Sequence, residues 1–182
     1  MKNTRVPMIE LINRIISGQL KHIAWDMDGT LADLYGVIDW LPKLRSYDPS
    51  PYIEAKPMPG VEMTVVVEHL NRLRACGIKV SVVTWLSKGS TPAYDAQVAE
   101  AKHNWLKSYN FPADDIHIVP YGTSKVSCVK DSLSDGEYAI IFDDSEEVRN
   151  DWTLGAAINP ADVNMMTLLM ALANTAERCC RL

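Results

Sequence analysis

The sequence is short of several features that would assign it to a class of protein at once. Its four cysteines show no Cys-x-x-Cys spacing, so we expect reduced thiols in a cytoplasmic protein rather than a zinc site or a disulfide framework. Basic residues are not in excess, because 18 Lys and Arg stand against 23 Asp and Glu, a formal charge of -5. This balance excludes the overall positive field that non-specific nucleic-acid binding needs. No Gly-x-Gly-x-x-Gly follows the first apolar run, which argues against a dinucleotide cofactor.

Long hydrophobic runs are missing as well. The N-terminal segment is apolar, but Arg5, Glu10 and Arg14 interrupt it, so it resembles neither a signal peptide nor a membrane span. Its apolar residues recur at helical spacing up to Gly18, which predicts an amphipathic helix within residues 1–20. We expect this helix to cover an edge or a face of the core. A surface for a partner or for a homo-oligomer is the alternative.

What the sequence does have is an alternation of short apolar runs with helical patterns, over 182 residues of which 47% are hydrophobic. The predicted strands are residues 22–26, 78–84, 116–119, 138–143 and 155–158. The predicted helices are residues 61–75, 93–109, 124–133, 145–152 and 161–180. This alternation predicts an α/β fold, a Rossmann-like doubly wound parallel sheet in a single core domain.

One stretch breaks the alternation. Residues 34–57 contain four prolines and four aromatic residues, a composition that predicts a short helix followed by irregular structure. The stretch leaves the sheet directly after the first strand, so we predict a small cap insertion over the carboxyl ends of the strands. The core domain then consists of residues 21–33 and 58–182. A plain surface connection is the alternative.

Polar residues stand where the predicted strands end, which is where open α/β sheets bind their ligands. They are Asp26 and Asp28 after the first strand, Thr84 at the end of the second, Lys125 at the start of the helix after the third, and Asp143 and Asp144 after the fourth. Carboxylates this close repel one another unless a cation lies between them. We therefore predict a Mg²⁺ site formed by Asp26, Asp143 and the backbone carbonyl of Asp28, with Asp144 outside the ligand set.

These residue types suit phosphoryl transfer. Asp26 can attack phosphorus and form an aspartyl-phosphate, while Asp28 protonates the leaving group and then deprotonates the attacking water. Gly29 permits a tight turn whose N–H groups face the phosphate. Thr84 and Lys125 can bind the phosphoryl oxygens.

The motifs resemble those of the haloacid-dehalogenase-like (HAD) superfamily of phosphohydrolases. The resemblance covers about residues 21–160 and rests on DMDGT at 26–30, VVT at 82–84, Lys125 and FDD at 142–144, in the order that the superfamily shows. It implies a HAD-like fold and a Mg²⁺-dependent phosphatase.

Looser patterns are similar to the 5'-nucleotidases of the 5'(3')-deoxyribonucleotidase type. They are DMDGTLAD, KPMPG at 56–60 and AKHNWL at 101–106. This likeness implies that Lys102 is a second basic residue near the phosphate and that Tyr35 or Trp40 stacks on a base. The chain departs from the pattern at Trp85, which replaces a small polar residue, and in its shorter cap.

The function predicted from the sequence is a phosphomonoesterase whose partner is a small phosphorylated substrate, a nucleoside monophosphate. Three alternatives keep the chemistry and change the substrate to a sugar phosphate, a phosphoprotein or a polynucleotide 3'-end. A further alternative is a non-catalytic phosphate-binding module of the same fold. No membrane partner is predicted, and a homo-oligomer is left open.

Overall fold

The computed structural model describes residues 8–181. Within them, five strands form one parallel sheet in the order β3-β2-β1-β4-β5. The strands are β1 (Leu20–Trp25), β2 (Lys79–Trp85), β3 (Asp115–Val119), β4 (Tyr138–Phe142) and β5 (Gly155–Ile158). Each strand predicted from the sequence is confirmed to within two residues at either end. The sheet is parallel throughout, as predicted.

Helices cover both faces of this sheet. The helices are α1 (Met8–Ile16), α2 (Trp40–Arg45), α3 (Ser50–Glu54), α4 (Met63–Ala75), α5 (Pro92–Ser108), α6 (Val126–Val129), α7 (Glu146–Asp151) and α8 (Met165–Cys180). Alternate residues of each strand point to opposite faces. Ile23 and Trp25 therefore belong to the core under α1, α4 and α8, while Ala24 belongs to a second core under α6 and α7. This arrangement is the doubly wound fold.

The N-terminal helix is part of the main core. Leu11 and Ile15 of α1 are buried among the side chains of that core. This packing agrees with the covering role expected from the sequence. The first seven residues of the predicted range 1–20 lie outside the described residues. None of the helices within residues 8–181 combines the length and apolarity needed to cross a membrane.

Residues 34–57 contain two short helices, α2 and α3, where the sequence predicted one. Pro51 lies in the first turn of α3, a position that tolerates proline because the N–H there has no partner inside the helix. Several contacts fasten the segment to the core, and three of them involve aromatic side chains near the cavity or under the segment. The Tyr94 hydroxyl donates to the Asp48 carbonyl (3.1 Å), the Trp105 indole donates to the Ala55 carbonyl (2.8 Å), and the Tyr52 and Ser87 hydroxyls lie 2.5 Å apart.

Candidate active site

The floor of the site is formed where β1 and β4 end side by side. Trp25 of β1 pairs with Phe142 of β4, so the residues that follow them, Asp26 and Asp143, are neighbours. Lys125 bridges the two carboxylates, since its Nζ donates to Asp26 Oδ1 at 2.6 Å and to Asp143 Oδ2 at 2.7 Å. Burial alone would lower the pKa of Lys125, but the two carboxylates outweigh it and raise the pKa, so the group stays charged.

Negative charge is concentrated on this floor. Burial raises the pKa of Asp143 to about 7 and that of Asp144 to about 6, and the nearby Asp26 carboxylate adds to both shifts. One carboxylate oxygen from each of Asp26, Asp143 and Asp144 lies within 4.8 Å of the others. Such a set of hard oxygen donors fits Mg²⁺. The structure places Asp144 beside the two predicted ligands, whereas the sequence placed it outside them.

Asp28 has a different environment from Asp26. Its Oδ2 accepts a hydrogen bond of 2.6 Å from Lys102 Nζ, and its Oδ1 is buried without a hydrogen-bond partner among residues 8–181. Burial raises the pKa of the Asp28 carboxyl above its usual range, while the Lys102 ammonium opposes the shift. The two aspartates of one motif are therefore paired with different lysines and stabilised differently.

Thr84 and Lys102 lie behind Asp28. Lys102 is fully buried, and its Nζ also donates to Thr84 Oγ1 at 2.7 Å and to the Trp85 carbonyl at 2.8 Å. The sequence predicted that both side chains bind the substrate phosphate. Neither is among the described residues that line the cavity, because the Thr84 hydroxyl and the Lys102 ammonium are turned toward each other.

The turn at Gly29 needs glycine for two reasons. Its φ of +74° lies in the left-handed region that side chains disfavour. A Cβ at this position would also lie 2.5 Å from Asp144 Oδ2 and 2.7 Å from Tyr35 Cε2. Farther along the motif, Asp33 Oδ1 accepts from the Gly36 N–H at 2.9 Å, so this side chain holds a turn.

A cavity of about 540 Å³ opens above the carboxylates. Its aromatic lining comes from three parts of the chain, namely Tyr35, Trp40 and Tyr52 from residues 34–57, Trp85 from the end of β2, and Tyr121 from the loop after β3. The centres of the Trp85 and Tyr121 rings lie 4.9 Å apart, and Lys125 Nζ lies 5.2 Å from the centre of the Trp85 ring. The volume is in the range of small-molecule sites.

Among the lining residues that sequence reasoning missed, two are polar and lie on different loops or helix ends. Arg45 ends α2 and is exposed at the rim, and Tyr121 follows the carboxyl end of β3. The position of Tyr121 was a usable signal, because loops at that end of a parallel sheet carry ligand contacts. Ser87 and Lys88, from the loop after β2, also line the cavity.

Comparison with known proteins addresses the fold. No protein-family model and no curated protein matches the chain. Among solved structures, it is similar to the crystal structure of a "putative had-like phosphatase" from Mesorhizobium loti. The identity is 17%, the match covers 86% of this chain and 88% of that chain, and the TM-score is 0.53. This chain has a HAD-like fold. In that HAD-like fold, the carboxylates and both lysines gather at the carboxyl edge of the sheet.

Proposed function

We propose that the protein is a Mg²⁺-dependent phosphomonoesterase that works through an aspartyl-phosphate, in the manner of a 5'-nucleotidase. The observation that carries this proposal is the separation of two nearby aspartates into two environments. Asp26 pairs with Lys125 in the acidic cluster, while Asp28 is buried against Lys102. Two carboxylates with different surroundings are suited to different roles, one as nucleophile and one as acid and base.

In the first step, a carboxylate oxygen of Asp26 attacks the phosphorus of the bound ester. A bond forms between this oxygen and phosphorus as the bond from phosphorus to the ester oxygen breaks. The Asp28 carboxyl gives its proton to the departing oxygen, which leaves as an alcohol. Lys125 donates to Asp26 and lines the cavity, so its charge offsets the charge on the phosphoryl oxygens during the transfer.

In the second step, water hydrolyses the aspartyl-phosphate. The water oxygen attacks phosphorus, its proton goes to the Asp28 carboxylate, and the bond between phosphorus and Asp26 breaks. Inorganic phosphate leaves, Asp26 is again a carboxylate, and Asp28 is again protonated. One ester and one water thus become one alcohol and one phosphate.

Asp26, Asp143 and Asp144 would hold the Mg²⁺ ion, together with the backbone carbonyl of Asp28. When bound, the cation offsets the negative charge of the phosphate and of the carboxylates around it. The clustering of three carboxylate oxygens within 4.8 Å supports this assignment.

The lining of the cavity supports a nucleoside monophosphate as the substrate. Tyr35 and Trp40 pack edge to face with ring centres 5.0 Å apart on one wall, and Trp85 and Tyr121 stand on another. Aromatic side chains bind bases by stacking. With the phosphate at the floor, the base could stack on one of these aromatic pairs.

The test is release of inorganic phosphate from a panel of esters, with Mg²⁺ or with EDTA. The panel contains nucleoside 5'- and 3'-monophosphates, sugar phosphates, a phosphopeptide, a 3'-phosphorylated oligonucleotide and 4-nitrophenyl phosphate. We expect Mg²⁺-dependent turnover, highest on a nucleotide, that Asp26→Asn abolishes and that the exposed control Asp135→Asn retains.

A preference for another ester would change the proposed substrate and leave the proposed chemistry unchanged. Turnover that survives Asp26→Asn would contradict the aspartyl-phosphate. Folded protein that binds Mg²⁺ and turns over no ester would favour the non-catalytic module.

A further inference from the structure

Lys102 is an unusual residue for the interior of a protein. Its side chain is fully buried, yet lysine is among the residues least often found without exposure. A buried ammonium is tolerated only when it is paired and hydrogen-bonded. The surroundings of Lys102 meet this requirement completely, and they indicate what the residue does.

All three N–H groups of the ammonium have an acceptor. They are donated to Asp28 Oδ2 (2.6 Å), Thr84 Oγ1 (2.7 Å) and the Trp85 carbonyl (2.8 Å). A lysine has three such donors and no more. Lys102 therefore has none left for a substrate phosphate, although it lies directly behind the site.

The three acceptors belong to two different parts of the chain. Thr84 and Trp85 are the last two residues of β2, a central strand of the sheet, whereas Asp28 lies in the turn after β1. Tyr52 of α3 covers the ammonium from another side, with its ring centre 5.2 Å from Nζ. Lys102 thus fastens a turn residue to the sheet, inside an enclosure that keeps water away.

We infer that Lys102 is a positioning residue that holds the Asp28 carboxyl in place for proton transfer. The inference rests on the proposed function for the role of Asp28 and replaces the phosphate-binding role that the sequence suggested for Lys102. Proton transfer requires the acid to lie within hydrogen-bond reach of the reacting oxygen. The carboxylate has no other side-chain anchor among the described residues, since its second oxygen is without a partner.

The inference predicts that loss of Lys102 affects esters differently according to their leaving groups. An ester with a poor leaving group, such as benzyl phosphate, needs a proton from Asp28 as its bond to phosphorus breaks. 4-Nitrophenyl phosphate needs little help, because 4-nitrophenolate leaves as an anion. Loss of Lys102 should therefore affect kcat/KM for the first ester more than for the second, since kcat/KM reports the steps up to formation of the aspartyl-phosphate.

The experiment compares kcat/KM for the two esters in wild type, Lys102→Met, Lys102→Gln, Asp28→Asn and the double variant Asp28→Asn with Lys102→Met. Lys107→Met, an exposed lysine on the same helix, is the matched control. We expect Lys102→Met to lower kcat/KM for benzyl phosphate about tenfold more than for 4-nitrophenyl phosphate. In the Asp28→Asn background, the same change should cost less than about twofold, because a residue that acts through Asp28 has nothing left to position.

Equal losses for both esters, or effects of the two substitutions that multiply, would overturn the inference. Lys102→Gln keeps hydrogen-bond donors in place and supplies the comparison if Lys102→Met does not fold, as judged by cooperative thermal unfolding. A crystal structure of the folded variant gives a second readout. If wild type turns over no ester, the proposed function fails. The crystal structure of the Lys102 variant then shows by itself whether Lys102 positions Asp28. An Asp28 side chain that keeps its orientation would refute the positioning role, and one that rotates away would support it.

Discussion

Lys125 and Lys102 are both buried ammonium groups that pair with aspartates of the DMDGT motif, yet they differ in their relation to the cavity. Lys125 lines the cavity and donates to two carboxylates, with no third acceptor within residues 8–181. Lys102 is enclosed, and all three of its donors are taken. A buried lysine beside a site can either contact a ligand or hold the surrounding protein in place. The number of its N–H donors already bonded to protein acceptors distinguishes the two cases.

The strongest test of the difference between the two lysines is to replace Lys125, which lines the cavity. Lys125→Met should lower kcat about 10³-fold, because the charge that offsets the transferring phosphoryl group is lost. It should also lower the free energy of unfolding by about 3–5 kcal/mol, since Asp26 and Asp143 remain buried without their partner. Phosphate release and urea unfolding measure the two effects. The exposed Lys130→Met is the control, and a Lys125→Met activity within twofold of it would refute the assigned role.

Gly29 follows Asp28 in the chain, and a methyl group there should disturb Asp144, the third carboxylate of the acidic cluster. Gly29→Ala should lower the free energy of unfolding by about 2–4 kcal/mol, because both the left-handed backbone and the contact with Asp144 are unfavourable. Gly77→Ala is the matched control, with φ +81° and nothing within 4 Å of an added Cβ. It should lose only about 1–2 kcal/mol. Equal losses in urea unfolding would show that the contact with Asp144 contributes nothing.

His22, toward the opposite end of β1 from the site, is a buried titratable group whose effect on stability should be independent of the site. Burial, assisted by Lys79, lowers the pKa of His22 to about 4 from 6.5. The neutral imidazole hydrogen-bonds Ser81 and Ser132, so its contribution to stability is full above pH 6.5 and is lost as the pH falls toward 4. The loss should be about 2–3 kcal/mol. Unfolding measured against pH, in wild type and in His22→Gln, should show this slope only in wild type, with Mg²⁺ or without it.

The smallest effect should come from the third carboxylate of the cluster. Asp144→Asn should raise the Kd of Mg²⁺ about tenfold while Asp143→Asn raises it further, because Asp143 is fully buried and Asp144 is not. Isothermal titration calorimetry measures both constants. Unchanged affinity in Asp144→Asn would return this residue to the position outside the ligand set that the sequence suggested.

Much of the site followed from the sequence, because strand ends were predictable. Asp26, Thr84 and Asp143 stand at the ends of apolar, β-branched runs, and a parallel sheet brings such ends together. The two aspartates and Lys125 accordingly form one bonded group. What the sequence located was the backbone positions of these residues.

The direction of long side chains could not be predicted. Lys102 is on α5, one turn before Trp105, and its helical position permits several rotamers of a flexible side chain. Only the packed structure shows that its ammonium ends behind Asp28 and not in the cavity. The second helix of residues 34–57 was missed for a related reason, since Pro51 signals a turn in sequence and a helix start in the fold.

The fastening of residues 34–57 has a consequence for the choice of phosphate acceptor. Hydrogen bonds from Tyr94 and Trp105 and the contact between the Tyr52 and Ser87 hydroxyls help to fix this segment, while Arg45 and Lys88 at the rim are exposed. A site that stands open lets bulk water reach a phosphorylated side chain as soon as the alcohol departs. Water, at its high concentration, would then outcompete an alcohol for the phosphoryl group. In the proposed reaction, the exposed rim would thus favour hydrolysis over transfer of the phosphoryl group to a second alcohol.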